Sequence, residues 1–221
     1  MEKSIKRYMP IFVLPTFFAF ILGFIVPFIM GIWLSFCKFT TVTDAKFVGF
    51  SNYIEALKDT AFRHSFWYTV LFAIASLLII NIIAFALAMA LTKEMHGTNV
   101  FRTIFFMPNL IGGIVLGYIW QLIFNGVLSR YGTALALNEW YGFWGLIILV
   151  SWQQIGYMMI IYIAGLNNVS PDLVEAAQID GATNRQILFK IKVPMVMPSV
   201  TICTFLTLTN SFKLFRSEER R

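Results

Sequence analysis

The sequence is poor in charge. Of its 221 residues only 13% are Asp, Glu, Lys or Arg, whereas 58% are apolar. Charged residues make up about 25% of a typical soluble domain, so a soluble protein of this size would lack the polar side chains needed to cover its surface. This composition excludes a soluble enzyme, a secreted module built on disulfides and a disordered chain.

Residues that carry chemistry are also scarce. The chain has two cysteines, Cys37 and Cys203, with no CxxC spacing, and two histidines, which fall in predicted loops. It contains no HExxH, no GxSxG and no glycine-rich phosphate loop. The net charge of +6 is dispersed between apolar stretches, which argues against a nucleic-acid partner. We therefore predict no catalytic residue, no metal site and no cofactor.

Five runs of the sequence contain no Asp, Glu, Lys, Arg or His. They are 30, 28, 27, 32 and 20 residues long and cover residues 8–37, 65–92, 103–129, 140–171 and 193–212. About 20 helical residues span a hydrocarbon core, and there only a helix pairs all its backbone groups within one segment. The predicted fold class is an all-α membrane protein, a polytopic bundle with five transmembrane helices at about 10–36, 66–91, 103–128, 141–168 and 193–212.

Basic residues predict the orientation of these helices. Lys3, Lys6 and Arg7 precede the first run, which is too long for a signal-peptide core and has no small-residue cleavage site, so we expect it to be retained. With the N-terminus in the cytoplasm, the inner loops carry eight basic residues and the outer loops five. We therefore predict a multi-pass protein of the cytoplasmic membrane with a cytoplasmic N-terminus.

Neutral polar groups take the place of charges inside the runs. Ion-driven carriers usually keep ionisable groups in the bilayer, so their absence here disfavours a secondary carrier. The amides and hydroxyls allow two interpretations: they can line a path for an uncharged sugar or polyol, or they can form hydrogen bonds between helices. These residues are Asn109, Gln121, Asn125, Ser151, Gln153, Gln154, Thr207, Asn210 and Ser211. Pro108 with Gly112 and Gly113 either kinks the third helix or interrupts it.

The stretch after the fourth run predicts a short helix outside the membrane. Ser170 is a good N-cap residue, Pro171 fits the first helical position, and Asp172 suits the positive end of the helix dipole. Gly181 can end the helix in the left-handed region, so we expect it to have a positive φ. A second helical stretch, 184–192, then leads into the fifth membrane helix.

Within this loop Glu175-Ala176-Ala177 is followed by three residues, Gly181, nine residues and Ile191-Lys192-Val193-Pro194. This spacing resembles the cytoplasmic signature of the inner-membrane permease subunits of ATP-binding-cassette importers, in particular their carbohydrate and glycerol-phosphate branch. That signature is Glu-Ala-Ala, three residues, Gly, nine residues and Ile-x-Leu-Pro, so Val193 departs from it. Residues 6–10, 47–53 and 101–108 are also similar to this branch, and the resemblance covers roughly residues 5–215.

The resemblance implies a permease domain, residues 1–215, in a prokaryotic inner membrane, with a coupling loop at 170–192. It implies three protein partners beside the membrane lipid: a cytoplasmic ATPase dimer, a second permease subunit and an external solute-binding protein. The chain itself would be no enzyme. The ATPase would dock on Glu175, Ala176, Ala177, Asp180, Gly181, Ile191 and Pro194. The path for a sugar or related polyol would be lined by Gln153, Gln154, Tyr157, Thr207, Asn210 and Ser211.

The C-terminal end departs from the family pattern. Relatives continue past the Phe-Lys-x-Phe seen at residues 212–215 with an outer loop and a sixth helix, whereas this sequence ends in the charged tail 216–221. We therefore expect a C-terminally truncated permease of five helices that does not transport in this form. Two further classes remain as alternatives: a membrane-anchored assembly or interaction protein that docks through the loop, and a secondary carrier.

Overall fold

A computed structural model describes residues 11, 13–39, 41, 44–92 and 97–216, without the side chains of the last three. The basic residues of the N-terminus and Lys93, which entered the orientation argument, lie outside the described residues, as does the predicted charged tail from residue 217 onward. The described residues form helices joined by loops and one two-residue antiparallel ladder. The chain divides into two compact units, residues 1–66 and 67–221.

The first unit contains an apolar helix followed by a folded elbow. Helix α1, Val13–Ser35, is long and apolar enough to cross a membrane, and none of its most apolar window is buried inside the protein. Strands β1, Cys37–Lys38, and β2, Lys46–Phe47, pair antiparallel. Helix α2, Ser51–Lys58, completes the elbow. The apolar side chains of α1 are therefore left to face lipid or another chain.

Hydrogen bonds from α2 hold the elbow against the end of α1. The Nδ2 of Asn52 donates to the carbonyl oxygens of Ser35 at 2.9 Å and Cys37 at 3.0 Å. The last carbonyls of a helix have no partner inside it, and Asn52 supplies one. The Oγ of Ser35 and the hydroxyl oxygen of Tyr53 lie 2.6 Å apart and form a second link.

The second unit is centred on one long helix. Helix α6, Glu139–Asn167, has thirteen buried residues, whereas α3, Thr60–Leu91, which belongs to this unit from residue 67 onward, has seven. An edge-to-face aromatic contact joins the two helices: the ring centroids of Phe72 and Phe143 lie 6.1 Å apart. Contacts of this kind stabilise an interface beyond the apolar area that they bury. Helix α6 is therefore the element on which this unit is assembled.

The third predicted helix, 103–128, is broken into two halves. Helix α4, Thr98–Phe106, continues into a 3₁₀ turn, Met107–Leu110, and helix α5 covers Gly113–Leu128. The two halves are bent by 98°. Among the described residues, four helices are long and apolar enough to cross a membrane, and five spans result if the bent pair counts as one.

Local sequence explains the break. Pro108 has no N–H to continue the helical ladder, and Ile111 and Gly112 both have ψ of 131°, which is extended backbone. The sequence allowed either a kink or an interruption of the third helix, and the structure has the interruption. Two short 3₁₀ turns, Ser129–Tyr131 and Leu135–Leu137, follow α5 and lead to α6.

The last span follows a helical lead-in. After helix α7, Pro171–Ile179, come helix α8, Asn184–Ile187, a π-helical turn, Leu188–Lys192, and helix α9, Val193–Arg216. The structure has Asn184–Lys213 as one membrane-length helix. The sequence analysis gave a helical stretch at 184–192 ahead of a fifth helix at 193–212, and the helix is continuous here because Arg185, Lys190 and Lys192 are good helix formers.

The other predicted boundaries differ less from the structure. Helix α1 covers 13–35 against a predicted 10–36, and α6 covers 139–167 against 141–168. Helix α3 starts at Thr60, six residues before the predicted 66. The prediction stopped at Arg63 and His64 because they are charged or titratable, but a helix can continue past the hydrocarbon core into the interfacial region.

Two glycines of α6 let neighbouring helices approach closely. A Cβ built on Gly156 would overlap the carbonyl of Phe105 in α4, and one built on Gly165 would overlap the hydroxyl of Ser199 in α9. Small residues at such crossings allow backbones to pack without an intervening side chain. The positions of α4 and α9 against α6 therefore depend on these two glycines.

We expect Gly156→Ala to destabilise the purified chain by about 1–3 kcal/mol, because the added methyl group meets backbone atoms that cannot rotate away. Thermal unfolding in detergent measures the effect. Gly117→Ala in α5 is the matched control: no atom lies within 4 Å of the added Cβ, so its melting temperature should be unchanged or slightly higher. Equal melting temperatures for the two variants would contradict the close crossing.

Candidate functional sites in the second unit

Helix α7 forms in the loop where the sequence predicted it. Ser170 occupies the N-cap position with an extended ψ of 128°, although its side chain caps no N–H. Pro171 is the first helical residue and Asp172 lies in the first turn, near the positive end of the helix dipole. Helix start and sequence pattern thus agree.

A Schellman motif ends α7. The N–H of Gly181 donates to the Gln178 carbonyl at 3.0 Å, and the N–H of Ala182 donates to the Ala177 carbonyl at 2.9 Å. Gly181 has φ of 79°, so the expectation of a positive φ is confirmed. A side chain at this position would be strained, since residues other than glycine rarely occupy the left-handed region.

The seven residues predicted to dock an ATPase are not equally accessible. Five are exposed: Glu175, Ala176, Asp180, Gly181 and Pro194. Ala177 and Ile191 are half-buried, and Ile191 packs with Val174 against the hydrophobic core. The structure therefore places Ile191 as an anchor of the loop on the bundle, and the outer face of α7 as the surface open to a partner.

Ile179 is the residue of this face that the sequence analysis missed. Its side chain is 87% exposed. At 100° per residue it lies between Glu175 and Ala176 on the side of α7 opposite Val174. The sequence could have revealed this, because Ile179 is four residues after Glu175 and therefore lies on the same face of a helix that the sequence already predicted.

A capping box holds the start of α8. The backbone N–H of Gln186 donates to the Oγ1 of Thr183 at 3.4 Å, and the N–H of Thr183 donates to the Oε1 of Gln186 at 2.7 Å. Ile187 is buried one position later. Only residues 180–183 therefore separate α7 from the helix that continues into the last span.

Three of the predicted path residues are buried between helices. Gln154 on α6 is 9% exposed, and its Oε1 accepts from the Nδ2 of half-buried Asn210 on α9 at 3.3 Å. Thr207 and Ser211 on α9 have no exposed surface. The Oγ of Ser211 donates to the Thr207 carbonyl at 2.9 Å. Four of the six predicted residues are thus close together, and all four take part in interhelical or intrahelical hydrogen bonds.

The other two path residues lie beside the broken segment. The Nε2 of Gln153 donates to the carbonyl of Ile111, at the break, over 3.5 Å. The ring of Tyr157 is 37% exposed and lies 6.5 Å from the ring of Phe106 in α4. Gln153 and Tyr157 therefore share a surface with α4 and α5, apart from the pair formed by Gln154 and Asn210.

A polar contact with α3 was missed by the sequence analysis. Asn81 accepts a hydrogen bond from the Tyr162 hydroxyl at Oδ1 over 2.7 Å, and its Nδ2 approaches the Oγ1 of Thr207 at 3.4 Å. One amide thereby links α3, α6 and α9. The sequence did show Asn81 as a polar residue inside the second charge-free run, but it did not show which residue would bind it.

We expect Tyr162→Phe to lower the stability of the chain by about 0.6–1.7 kcal/mol, the range of hydrogen bonds measured between membrane helices. The variant removes the donor to Asn81 while keeping the buried ring, and thermal unfolding in detergent measures the loss. Tyr157→Phe is the matched control, since that ring is partly exposed and its loss of a hydroxyl should change little. A melting temperature of Tyr162→Phe equal to that of the control would show that the hydrogen bond from Tyr162 to Asn81 does not stabilise the fold.

Comparison with known proteins places this arrangement among transport proteins. The family model of binding-protein-dependent transport system inner membrane components matches residues 83–216. The probable starch degradation products transport system permease protein AmyD of Thermoanaerobacterium thermosulfurigenes is 40% identical over 213 residues, 93% of this chain and 73% of that protein. The trehalose/maltose transport system permease protein MalF of Thermococcus litoralis is 27% identical, covering 92% and 72%.

A solved structure has the same fold. The chain aligns with a bacterial ABC transporter involved in the import of the acidic polysaccharide alginate with a TM-score of 0.78 and 21% identity, over 98% of this chain and 78% of that one. The family match extends across α6, the loop helices and α9, the elements that hold the candidate sites. The chain therefore belongs to the family of binding-protein-dependent transport system inner membrane components.

Proposed function

We propose that the chain is the permease subunit through which an ATP-driven importer moves a sugar or related polyol across the cytoplasmic membrane of a prokaryote. Its N-terminus would be cytoplasmic, and ATP would be hydrolysed by a separate subunit. The observation that carries this proposal is α7: a capped two-turn helix whose outer face, Glu175, Ala176 and Ile179, is left open between two membrane-length helices.

The outer face of α7 has the chemistry of a protein-docking surface. The small side chain of Ala176 lets a partner approach closely, Ile179 supplies apolar area, and Glu175 adds a negative charge that a basic group of the partner can pair with. The proposed partner is a cytoplasmic ATPase dimer, one groove of which would receive α7. A second permease subunit would complete the translocation pathway, and an extracytoplasmic solute-binding protein would deliver the substrate.

The substrate proposal depends on relatives and on the polar residues of the bundle. The relatives include permeases named for starch degradation products, for arabinooligosaccharides and for trehalose/maltose. Amides and hydroxyls are the groups that bind sugar hydroxyls, and aromatic rings such as that of Tyr157 stack on sugar rings. We assign Gln153, Tyr157 and Asn210 to the wall of the path, because these three retain accessible surface.

The remaining path residues have a different part in this proposal. Gln154, Thr207 and Ser211 are buried, so they would hold α6 and α9 in register behind the wall. Gln154 would orient Asn210 through the hydrogen bond between them. Substituting Gln154 would then change transport through the position of Asn210, whereas substituting Asn210 would change it directly.

The proposed function is tested by reconstitution. The chain is co-expressed with a candidate ATPase, second permease and solute-binding protein from its source organism, purified through a tag on this chain, and placed in proteoliposomes. The proposal expects the ATPase to be retained and any uptake of a labelled maltooligosaccharide to require ATP. Failure to retain the ATPase would contradict the docking proposal. Uptake driven by a proton or sodium gradient without ATP would indicate a secondary carrier.

We expect Glu175→Lys to reduce the amount of ATPase that co-purifies by about tenfold or more, because charge reversal at a desolvated contact costs several kcal/mol. Glu175→Gln should give an intermediate loss, and insertion of the chain into the membrane should be unaffected. Glu139→Lys is the control, because it makes the same charge change at the N-terminal end of α6, whereas Glu175 follows the C-terminal end of that helix. This variant should retain the ATPase. Equal retention by Glu175→Lys and Glu139→Lys would refute the role given to Glu175.

A further inference from the structure

The elbow after α1 combines a cationic pair, an apolar cleft and an amphipathic helix, and none of these features belongs to the sites described above. From their arrangement we infer that the elbow, of which the structure describes residues 36–39, 41 and 44–59, is a binding site for an anionic phospholipid of the leaflet at the C-terminal end of α1. The lipid phosphate would lie between Lys38 and Lys46, and an acyl chain would occupy the cleft beside Ile29.

The cationic pair is set by the strand register. Lys38 and Lys46 are directly opposite each other in the two-residue ladder, and both are exposed. Residues opposite each other in an antiparallel pair have Cβ atoms about 5 Å apart on one face, where like charges repel and destabilise the pairing. A phosphate between the two ammonium groups would convert this repulsion into two charge-assisted contacts.

The opposite face of the ladder is apolar and reaches toward the span. Phe47 stacks on Trp33 with ring centroids 5.7 Å apart and an interplanar angle of 23°. Trp33 lies in the last turn of α1, at the level where aromatic residues mark the boundary between membrane and water. The hairpin therefore presents a hydrophobic face to the acyl region and a cationic face at the height of the headgroups.

A cleft of about 350 Å³ continues this apolar face down the helix. It is lined by Ile29, Met30, Trp33, Leu34 and Ala45. Ile29 is six residues before the end of α1, which corresponds to about 9 Å along the helix axis. The hairpin residue Ala45 thus borders a cleft that extends below the headgroup level, where an acyl chain is the available apolar occupant.

Helix α2 has the polarity of an interfacial helix. Phe50, Ile54 and Leu57 are 68%, 52% and 64% exposed and share one face at the spacing i, i+4, i+7. Asn52, on another face, binds the end of α1. The chain between Ser35 and Thr60 is only 24 residues long and joins two membrane-length helices, so this apolar face is held near the bilayer surface. Such helices lie in the interface with their apolar side in the acyl boundary.

The test measures lipid binding to the full-length chain by native mass spectrometry, with phosphatidylglycerol and phosphatidylcholine as probes. We expect Lys38→Gln and Lys46→Gln each to weaken binding of the first phosphatidylglycerol about fivefold, and the double variant about 25-fold, since a lysine near an anionic surface contributes about that factor. Phosphatidylcholine binding should be unchanged. Ala45→Trp, which fills the cleft, should weaken the binding of both lipids.

Lys58→Gln at the end of α2 is the matched control, because it removes the same charge from the same elbow away from the ladder. Circular dichroism checks that each variant keeps its helices. Unchanged phosphatidylglycerol affinity in the double variant, or an equal loss in Lys58→Gln, would overturn the site. So would a double variant that keeps its lipid preference but loses affinity for the solute-binding protein, because the face would then be a protein contact.

Discussion

The backbone of this chain must pair its polar groups where water is absent, and the structure follows from that requirement. Helices satisfy it internally, but their last carbonyls need outside donors. Side chains supply them: Asn52 donates to Ser35 at the end of α1, and the guanidinium of Arg102 donates to Leu91 at the end of α3 over 2.6 Å. At the broken span the Nε2 of Gln153 donates to the carbonyl of Ile111. These three polar side chains thus bind backbone carbonyls where a helix ends or is broken.

The same requirement explains how much could be predicted. Runs without charge revealed every membrane-length helix among the residues that the structure describes, because an unpaired charge in hydrocarbon is costly. The loop helix was predictable down to Gly181, since capping depends on adjacent residues. The helical stretch 184–192 that leads into the last span was visible in the sequence as well, but the π turn inside it was not. The break after Pro108 was visible as an option only, since proline kinks and interruptions have the same sequence.

The polar residues of the bundle show why the site was only partly predictable. Each amide or hydroxyl in the spans could either bond to another helix or line a path. Which of the two it does depends on the rotation of its helix about the helix axis, which the residue type does not show. Thr207 is turned inward toward Asn81, whereas Tyr157 keeps accessible surface. Asn81 was overlooked because its partner, Tyr162, is 81 residues away and the facing of two long helices cannot be read from either sequence segment alone.

The geometry of the loop constrains how a partner's movement could reach the membrane. Helix α7 is joined to α8 by four residues, and the path from Asn184 to Lys213 is helical throughout. A force applied to α7 would therefore act on a rod and not on a flexible linker. The π turn Leu188–Lys192 is the point of that rod with a different hydrogen-bond pattern, and it comes just before Pro194, which lacks an N–H. Ile187, just before this turn, and Ile191, within it, are both packed into the bundle. Displacement of α7 must therefore move the bundle with it or bend the helix at this turn.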